Sequence, residues 1–517
     1  MGSKTGRWFI AAVGVVLLLL ITIPYLYAAT RTDENYVFGG LLQNPVDGNT
    51  YLAKMFQGWQ GAWRFHLPYT AEPGEGAYLF LYYLFLGHVS RWTGLSLILV
   101  YHLARLLGTL ALLGMLCRFF NSTIKGGQTR RLAIVWATFG AGLGWMVVPW
   151  GKFTADFWVA ETFPFLSAYT NPHFPLGLAL LLYLLLPEKH KTCSKGLAAL
   201  ALGVILPFGV LLAFLVEALT LLRVGWRTPG GRAVLERTLA ILFGGCVPLG
   251  YAVWVTSVDP VLADWNAQNL TPTPPWWDVG LSLSPALFLA LVGGYASWKD
   301  RQGASQVLIL WAIVGLGLLF VPIGLQRRLM LGLYVPLVGL GAVGVESLSA
   351  GSEPRFRRLA VGVCLLSFLT NVVVMSAGFY GAKRREAQVY LSRGEMQALS
   401  WLGEHTSPEA LVLASPSTGL FVPAYSGRRV VYGHPFETVN ADAEEAAVRS
   451  FFEGGWDEEE DRDFLLSRGV DYIFIGPREA ELGGLPLDRG VTALYSAQGV
   501  TIYAVEQDDP SRPTDDE

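Results

Sequence analysis

The sequence predicts a polytopic α-helical membrane protein of about eleven transmembrane helices, followed by a small extracytoplasmic α/β domain. Three observations lead there. Of 517 residues, 52% are hydrophobic and 15% charged, with mean hydropathy +0.40, whereas soluble globular chains are roughly 25% charged. Apolar runs recur along residues 1–380, with basic residues gathered in alternate connections between them. Past residue 381 the pattern changes to short helix and strand periods, and acidic residues accumulate, as in WDEEEDRD and PSRPTDDE.

The first run, WFIAAVGVVLLLLITIPYLYA, follows Lys4 and Arg7. At about 21 residues, without a clear small-residue cleavage site, it reads as a retained span rather than a signal peptide. Further apolar runs fall at about 94–119, 132–150, 174–187, 196–207, 208–222, 238–257, 279–297, 306–323, 331–348 and 359–380. Pro187 and Pro207 leave the pieces across 174–222 shorter than the roughly 20 residues of a comfortable crossing. Broken spans are tolerated where they are buried in protein or line a cavity.

Basic residues cluster as Lys4/Arg7, Lys125/Arg130/Arg131, Lys189/Lys191/Lys195, Arg223/Arg227/Arg232/Arg237, Lys299/Arg301 and Arg355/Arg357/Arg358. The positive-inside bias then predicts a multi-pass plasma-membrane protein with a cytoplasmic N-terminus. Outside lie 30–93, 151–173, 258–278, 324–330 and the tail from 381. The expected domains are 1–380, transmembrane with juxtamembrane helices in its outer loop 30–93, and 381–517, extracytoplasmic. Within the tail EMQALSWLGEH reads as helix, ALVLAS and RRVVYG as strands, DFLLSRGVDYIFIG as helix then strand, and VTALYSAQGVTIYAVE as a hairpin. Cys117, Cys193, Cys246 and Cys364 fall in or beside apolar segments and form no CxxC motif, so neither disulfides nor a thiol-bound metal is expected.

Chemistry concentrates in the outer loops. In QNPVDGNTYLAKMFQGWQGAWRF, Tyr51, Met55 and Trp59 recur every four residues beside Leu52, Phe56 and Trp63, the pattern of an amphipathic interfacial helix. Asp47 then stands at its head, as an N-cap or as a catalytic carboxylate. KFTADFWVAETFPFLSAYTNPHF adds Asp156, Glu161 and His173, a set that fits either a solvated loop or a site. In GLQRRLMLGLYVP, Arg327 and Arg328 lie outside against the positive-inside bias, which suits phosphate oxygens or anionic lipid headgroups. His102 and Arg105 share one helical face within a span, where ionisable groups face a cavity or partner.

Asp47-Gly-Asn-Thr-Tyr51, with Ala53, Met55 and Gly58-Trp59 after a first span, resembles the first outer loop of GT-C superfamily membrane glycosyltransferases, such as protein O-mannosyltransferases and lipid A aminoarabinose transferases. Two positions depart from that pattern. Gly48 replaces a second acidic residue, and EPGEG (72–76) stands where Lys-Pro-Pro often closes the loop. The resemblance implies Asp47 as catalytic base, with Glu161 or Asp156 as the second acidic residue. It further implies inverting transfer of a hexose or pentose from a polyprenyl-phosphate donor to an extracytoplasmic glycan, lipid or protein. Arg327 and Arg328, before Tyr334 and Pro336, match a basic position of similar proteins and are the expected donor-phosphate ligands with Arg105. Tyr51, His173 and His102 are expected to bind substrate. No cofactor and no nucleic-acid partner is expected, and the outer membrane loops lack a DxD, which points to a metal-independent reaction with a divalent ion left open. A transporter or flippase of lipid-linked saccharides, or a non-catalytic scaffold with an outer binding domain, is the alternative; the absence of an internal repeat favours the enzyme.

Overall fold

The computed structural model describes residues 4–187, 192–299, 305–322, 324–487 and 490–506. Lys189, Lys191, Arg301 and the acidic stretch 510–517 lie outside the described residues. Among the described residues seven helices are long and apolar enough to cross a membrane: Gly6–Thr30, Leu97–Thr123, Gly127–Trp150, Pro207–Val224, Pro229–Val258, Gln326–Leu348 and Glu353–Arg384. Trp276–Ser282 and Ala286–Lys299, bent by 74°, form an eighth crossing if taken together. His173–Leu184, Thr192–Ile205 and Gln306–Leu318 are shorter apolar helices. Each apolar run of the sequence lies on one of these segments.

The prolines act as the sequence suggests. Pro207, with no N–H to donate, ends the helix through Ile205 and opens the next at its first turn. Burial then sorts the helices. The window within Gln326–Leu348 is 89% buried, against 22% in Pro229–Val258 and Glu353–Arg384. The first is therefore enclosed by its neighbours, while the other two turn side chains such as Phe243, Val247 and Leu365 outward, as apolar helices facing lipid do. A Cβ on Gly293 would stand 1.8 Å from Leu340 O, so that helix pair meets backbone to backbone.

Outside the spans, strand Tyr36–Phe38 pairs antiparallel with Tyr390–Ser392, fastening the first outer loop to the tail. The tail forms a five-stranded sheet in the order Arg429–Val430, Leu411–Leu413, Tyr472–Ile475, Val500–Val505, Val491–Ala497. The first three strands are parallel and the last two antiparallel. Alternation divides its faces: Leu411, Leu413 and Ile473 pack with Val448, Phe451 and Phe464, whereas Val412 and Phe474 face Leu399 and Leu402. Ala53 and Tyr69 of the first outer loop belong to that second core, and Val430 N donates to Pro68 O at 3.0 Å. The α/β domain and the outer loop thus share one hydrophobic interior.

Candidate active site

The helix carrying Asp47 runs Pro45–Gln60 and so starts three residues earlier than Asp47 as a cap would allow. Pro45 supplies a pre-set φ at the first helical position. Asn44, in the left-handed region at φ 49, is the N-cap and accepts from Asp47 N at 3.5 Å. Asp47 therefore sits in the first turn, and its carboxylate is not a cap. Gly58 and Gly87 let this helix lie against Leu81–Thr93, since a Cβ on either would meet a carbonyl oxygen at 2.1 or 2.0 Å.

Two groups hold the carboxylate. Asn44 Nδ2 donates to Asp47 Oδ2 at 2.6 Å, and His434 Nε2, from the C-terminal domain, lies 3.3 Å from Oδ1. The Asp47 side chain is 44% exposed, so water reaches the carboxylate. Burial opposes its ionisation, but His434, Asn44 and Arg328 outweigh burial and hold its pKa at about 2. Four residues on, Tyr51 stacks on Tyr83 at 4.4 Å and abuts His173 at 4.9 Å. The Tyr83 hydroxyl and His173 Nδ1 are 2.5 Å apart, completing an aromatic wall. Burial, with Asp47, Glu437 and Glu161 adding and Arg328 opposing, holds the Tyr51 phenol well above its ordinary pKa.

Arg327 and Arg328 sit on the 3-10 turn Gln326–Met330. Arg328 Nη1 is 3.7 Å from Glu161 Oε1, and Gly332 N donates to Glu161 O at 2.9 Å, joining that turn to the second outer loop. Arg327 lies over the Trp158 ring at 4.7 Å. Arg327 Nε, Glu161 Oε1 and Glu437 Oε2 are buried polar atoms without a hydrogen bond among the described residues. Phe174, Leu206, Phe208 and Leu331 close around Glu161 and Arg328, leaving a cleft too narrow to hold a water molecule.

Asp47, Tyr51, Glu161, His173, Arg327 and Arg328, far apart in sequence, thus come within electrostatic reach of one another. Three expected site residues have no contact with this group. Asp156 accepts from Thr154 Oγ1, Thr370 Oγ1 and Gly144 N, a buried clasp between the second outer loop and the last span. Burial pushes its pKa up to about 6 against those hydrogen bonds. Arg105 and His102 do share a face, with Arg105 Nε donating to His102 Nδ1 at 3.3 Å. Their outer partners are carbonyls rather than a carboxylate: Arg105 reaches Ile21 O, Ala168 O and Tyr169 O, stacks on Tyr25, and His102 meets Gly40 O. The end of helix Pro164–Thr170 exposes such carbonyls, which a cation satisfies.

Sequence reasoning missed Asn44, Lys54, His434 and Glu437. Lys54 is fully buried, 2.7 Å from Glu437 Oε1 and 4.3 Å above the Phe80 ring. Its signal was present, because 47, 50, 51 and 54 fall on one helical face. GHPFET (433–438) of the C-terminal domain delivers His434 and Glu437 to the helix that carries Asp47 and Lys54. Among the described residues no group of three or more His, Cys, Asp or Glu is placed to hold a metal ion.

No protein-family model and no curated protein matches this sequence. Solved structures do. The Archaeoglobus fulgidus oligosaccharyltransferase matches with TM-score 0.54 at 13% identity, over 94% of this chain and 73% of that one. The mycobacterial arabinofuranosyltransferase AftD matches with TM-score 0.54 at 14% identity, over 95% of this chain and 40% of that one. ArnT from Cupriavidus metallidurans gives TM-score 0.49 at 12% identity, over 96% and 98%. The chain is a multi-pass membrane protein with the fold of GT-C superfamily membrane glycosyltransferases, carrying a β-containing C-terminal domain.

Proposed function

We propose that this chain is a glycosyltransferase that moves a sugar from a polyprenyl-phosphate donor to an acceptor outside the cytoplasm, with inversion at the anomeric carbon. The observation that carries the reading is the convergence of an oriented, water-reached carboxylate, Asp47, with the guanidinium of Arg328. The acceptor hydroxyl oxygen bonds to the anomeric carbon as the bond from that carbon to the phosphate oxygen breaks. The electron pair leaves with the polyprenyl phosphate, whose charge Arg327 and Arg328 stabilise. The acceptor proton passes to Asp47. A carboxylate with a pKa of about 2 takes that proton late, once the acceptor oxygen has bonded to carbon and become strongly acidic.

In this reading Glu161 orients Arg328, and Tyr51 and His173 wall the sugar site. Asp156, His102 and Arg105 hold the scaffold. The site faces outward with residues 381–517. The fold-level likeness to glycosyl-transferring enzymes supports the reaction class, not the sugar or acceptor. Mass spectrometry of lipid that co-purifies with the protein tests it: a polyprenyl phosphate, free or bearing a sugar, is expected. Purified protein given a lipid extract from the producing cell's membranes should then release polyprenyl phosphate from lipid-linked sugar. No such release by folded protein, supplied also with the cell's envelope acceptors, rejects the enzyme.

A further inference from the structure

We infer that His434 is the positioning residue of Asp47: its Nε2–H holds Oδ1 of the carboxylate, so that the C-terminal domain completes the catalytic centre. This deepens the reading of Asp47 as base and rests on it.

The argument starts with the tautomer. His434 Nδ1 accepts from Phe436 N at 3.0 Å and from Glu437 N at 3.1 Å. A nitrogen accepting two amide protons carries none itself, which leaves the proton on Nε2. That atom lies 3.3 Å from Asp47 Oδ1, within ion-pair reach but outside hydrogen-bond geometry, and makes no hydrogen bond to any described residue. The ring is 2% exposed and cannot turn away into water.

The loop behind it is braced from three sides. Thr438 N donates to His434 O at 3.0 Å, closing the turn on itself. Gln268 Nε2 donates to Thr438 O and Asn269 Nδ2 to Phe436 O at 2.9 Å, seating it on another outer segment. Lys54, two turns along the helix from Asp47, reaches Glu437 Oε1. A loop that served only to fill the core would have no need to aim its one unsatisfied N–H at the exposed carboxylate. Asn44 binds Oδ2 and His434 stands beside Oδ1, so each carboxylate oxygen has one polar neighbour from a different element.

The test reads the protonation of Asp47 in the full-length chain in detergent micelles. Water-soluble carbodiimide with glycine ethyl ester modifies carboxyls through their protonated form, and peptide mass spectrometry follows Asp47 from about pH 7 to about pH 4. His434→Met fills similar space without a donor; His434→Gln keeps an N–H at similar reach. Labelling near pH 4 should rise about tenfold or more in His434→Met, since one pKa unit is tenfold in protonated fraction, and stay near wild type in His434→Gln. Arg328, Arg327, Tyr51, Glu161, Glu437, His173, Lys54 and Tyr69, the other titratable groups facing this site, are unchanged in both variants. Equal labelling in His434→Met and wild type overturns the inference. Should His434→Met fail to fold, ¹⁵N-histidine spectra of the wild-type chain decide, with the resonance lost in His434→Gln expected as the Nε2–H tautomer; an Nδ1–H tautomer overturns the inference. Turnover separates the two levels: an active Asp47→Asn rejects the base, whereas an inactive Asp47→Asn with unmoved labelling in His434→Met rejects His434 alone.

Discussion

Lys54 Nζ and Glu437 Oε1 stand 2.7 Å apart, with the lysine 1% and the glutamate 12% exposed, and this ion pair bridges the first outer loop and the C-terminal domain. Three aromatic rings, those of Tyr51, Phe65 and Phe80, surround the ammonium. Removing one partner of such a pair leaves the other buried and unpaired, at a cost of about 3–5 kcal/mol. Lys54→Met and Glu437→Gln should each lower thermal stability of the purified chain by that order. Lys54→Met with Glu437→Leu together should recover much of the loss, because no charge is then stranded. Additive losses in the double variant would show that the two side chains act independently.

The arginine turn makes the second prediction. Arg328→Lys keeps the charge but gives up the planar fork, so binding of polyprenyl phosphate should weaken by about tenfold to a hundredfold, the loss of one charge-assisted hydrogen bond. Arg327→Ala, which leaves Glu161 paired with Arg328, should weaken it to a similar degree. Titration of detergent-solubilised protein with undecaprenyl phosphate measures both. Unchanged affinity in both folded variants would move the phosphate site elsewhere.

Orientation is tested by labelling. In a chain whose native cysteines are replaced, Ser417→Cys should react with an impermeant thiol reagent on intact cells, and Gln128→Cys should react only after lysis. Both positions are exposed on the protein. The opposite pattern would place Asp47 in the cytoplasm.

The helical part of this fold was legible because bilayer crossing imposes a length and polarity that a single chain displays. The strands of the tail were legible too, since ALVLAS and RRVVYG carry short β-branched apolar runs of strand length, buried along Leu411–Leu413, and the terminal hairpin carries Val, Thr, Ile and Tyr. What the sequence concealed was the meeting of distant segments. Asp47 was visible as an acidic residue at a helix start, but Pro45 and Asn44 moved that start and freed the carboxylate. His434 lies in a loop that resembles any surface turn, and only the shared core around Ala53, Tyr69 and Val412 brings it to Asp47. The hydrogen bonds of Asp156 were concealed as well, because a buried aspartate that satisfies a turn has the same local signature as one that faces substrate.

That clasp carries its own pH signature. Asp156 has a folded pKa of about 6, raised from 3.8 chiefly by burial. A raised carboxyl pKa means the folded state binds the proton more tightly, so stability is highest below the unfolded value and declines as pH rises from about 4 to about 6. The decline is on the order of 3 kcal/mol for a shift of this size. Asp156→Asn should be less stable at low pH, where it loses acceptors for Gly144 and Thr370, and should lack this part of the pH dependence. Melting curves of both proteins across that window check it; parallel pH profiles would show that Asp156 is ionised normally.

The decisive substitution is Asp47→Asn. Because Asn44 caps the helix, replacing Asp47 removes no capping side chain, and an asparagine keeps one oxygen to accept from Asn44 Nδ2 or His434 Nε2, turning its NH2 towards the other on a side chain that is 44% exposed to water. Its effect on stability should therefore be small. What disappears is the negative charge and with it the proton acceptor, whose loss costs about a hundredfold to ten-thousandfold in rate. Release of polyprenyl phosphate from lipid-linked sugar should collapse accordingly, while the affinity for undecaprenyl phosphate holds or improves, since a like charge near the arginine site has been removed. Near-normal turnover in a folded Asp47→Asn would transfer the base to Glu161, whose Oε1 is the other carboxylate oxygen beside Arg328.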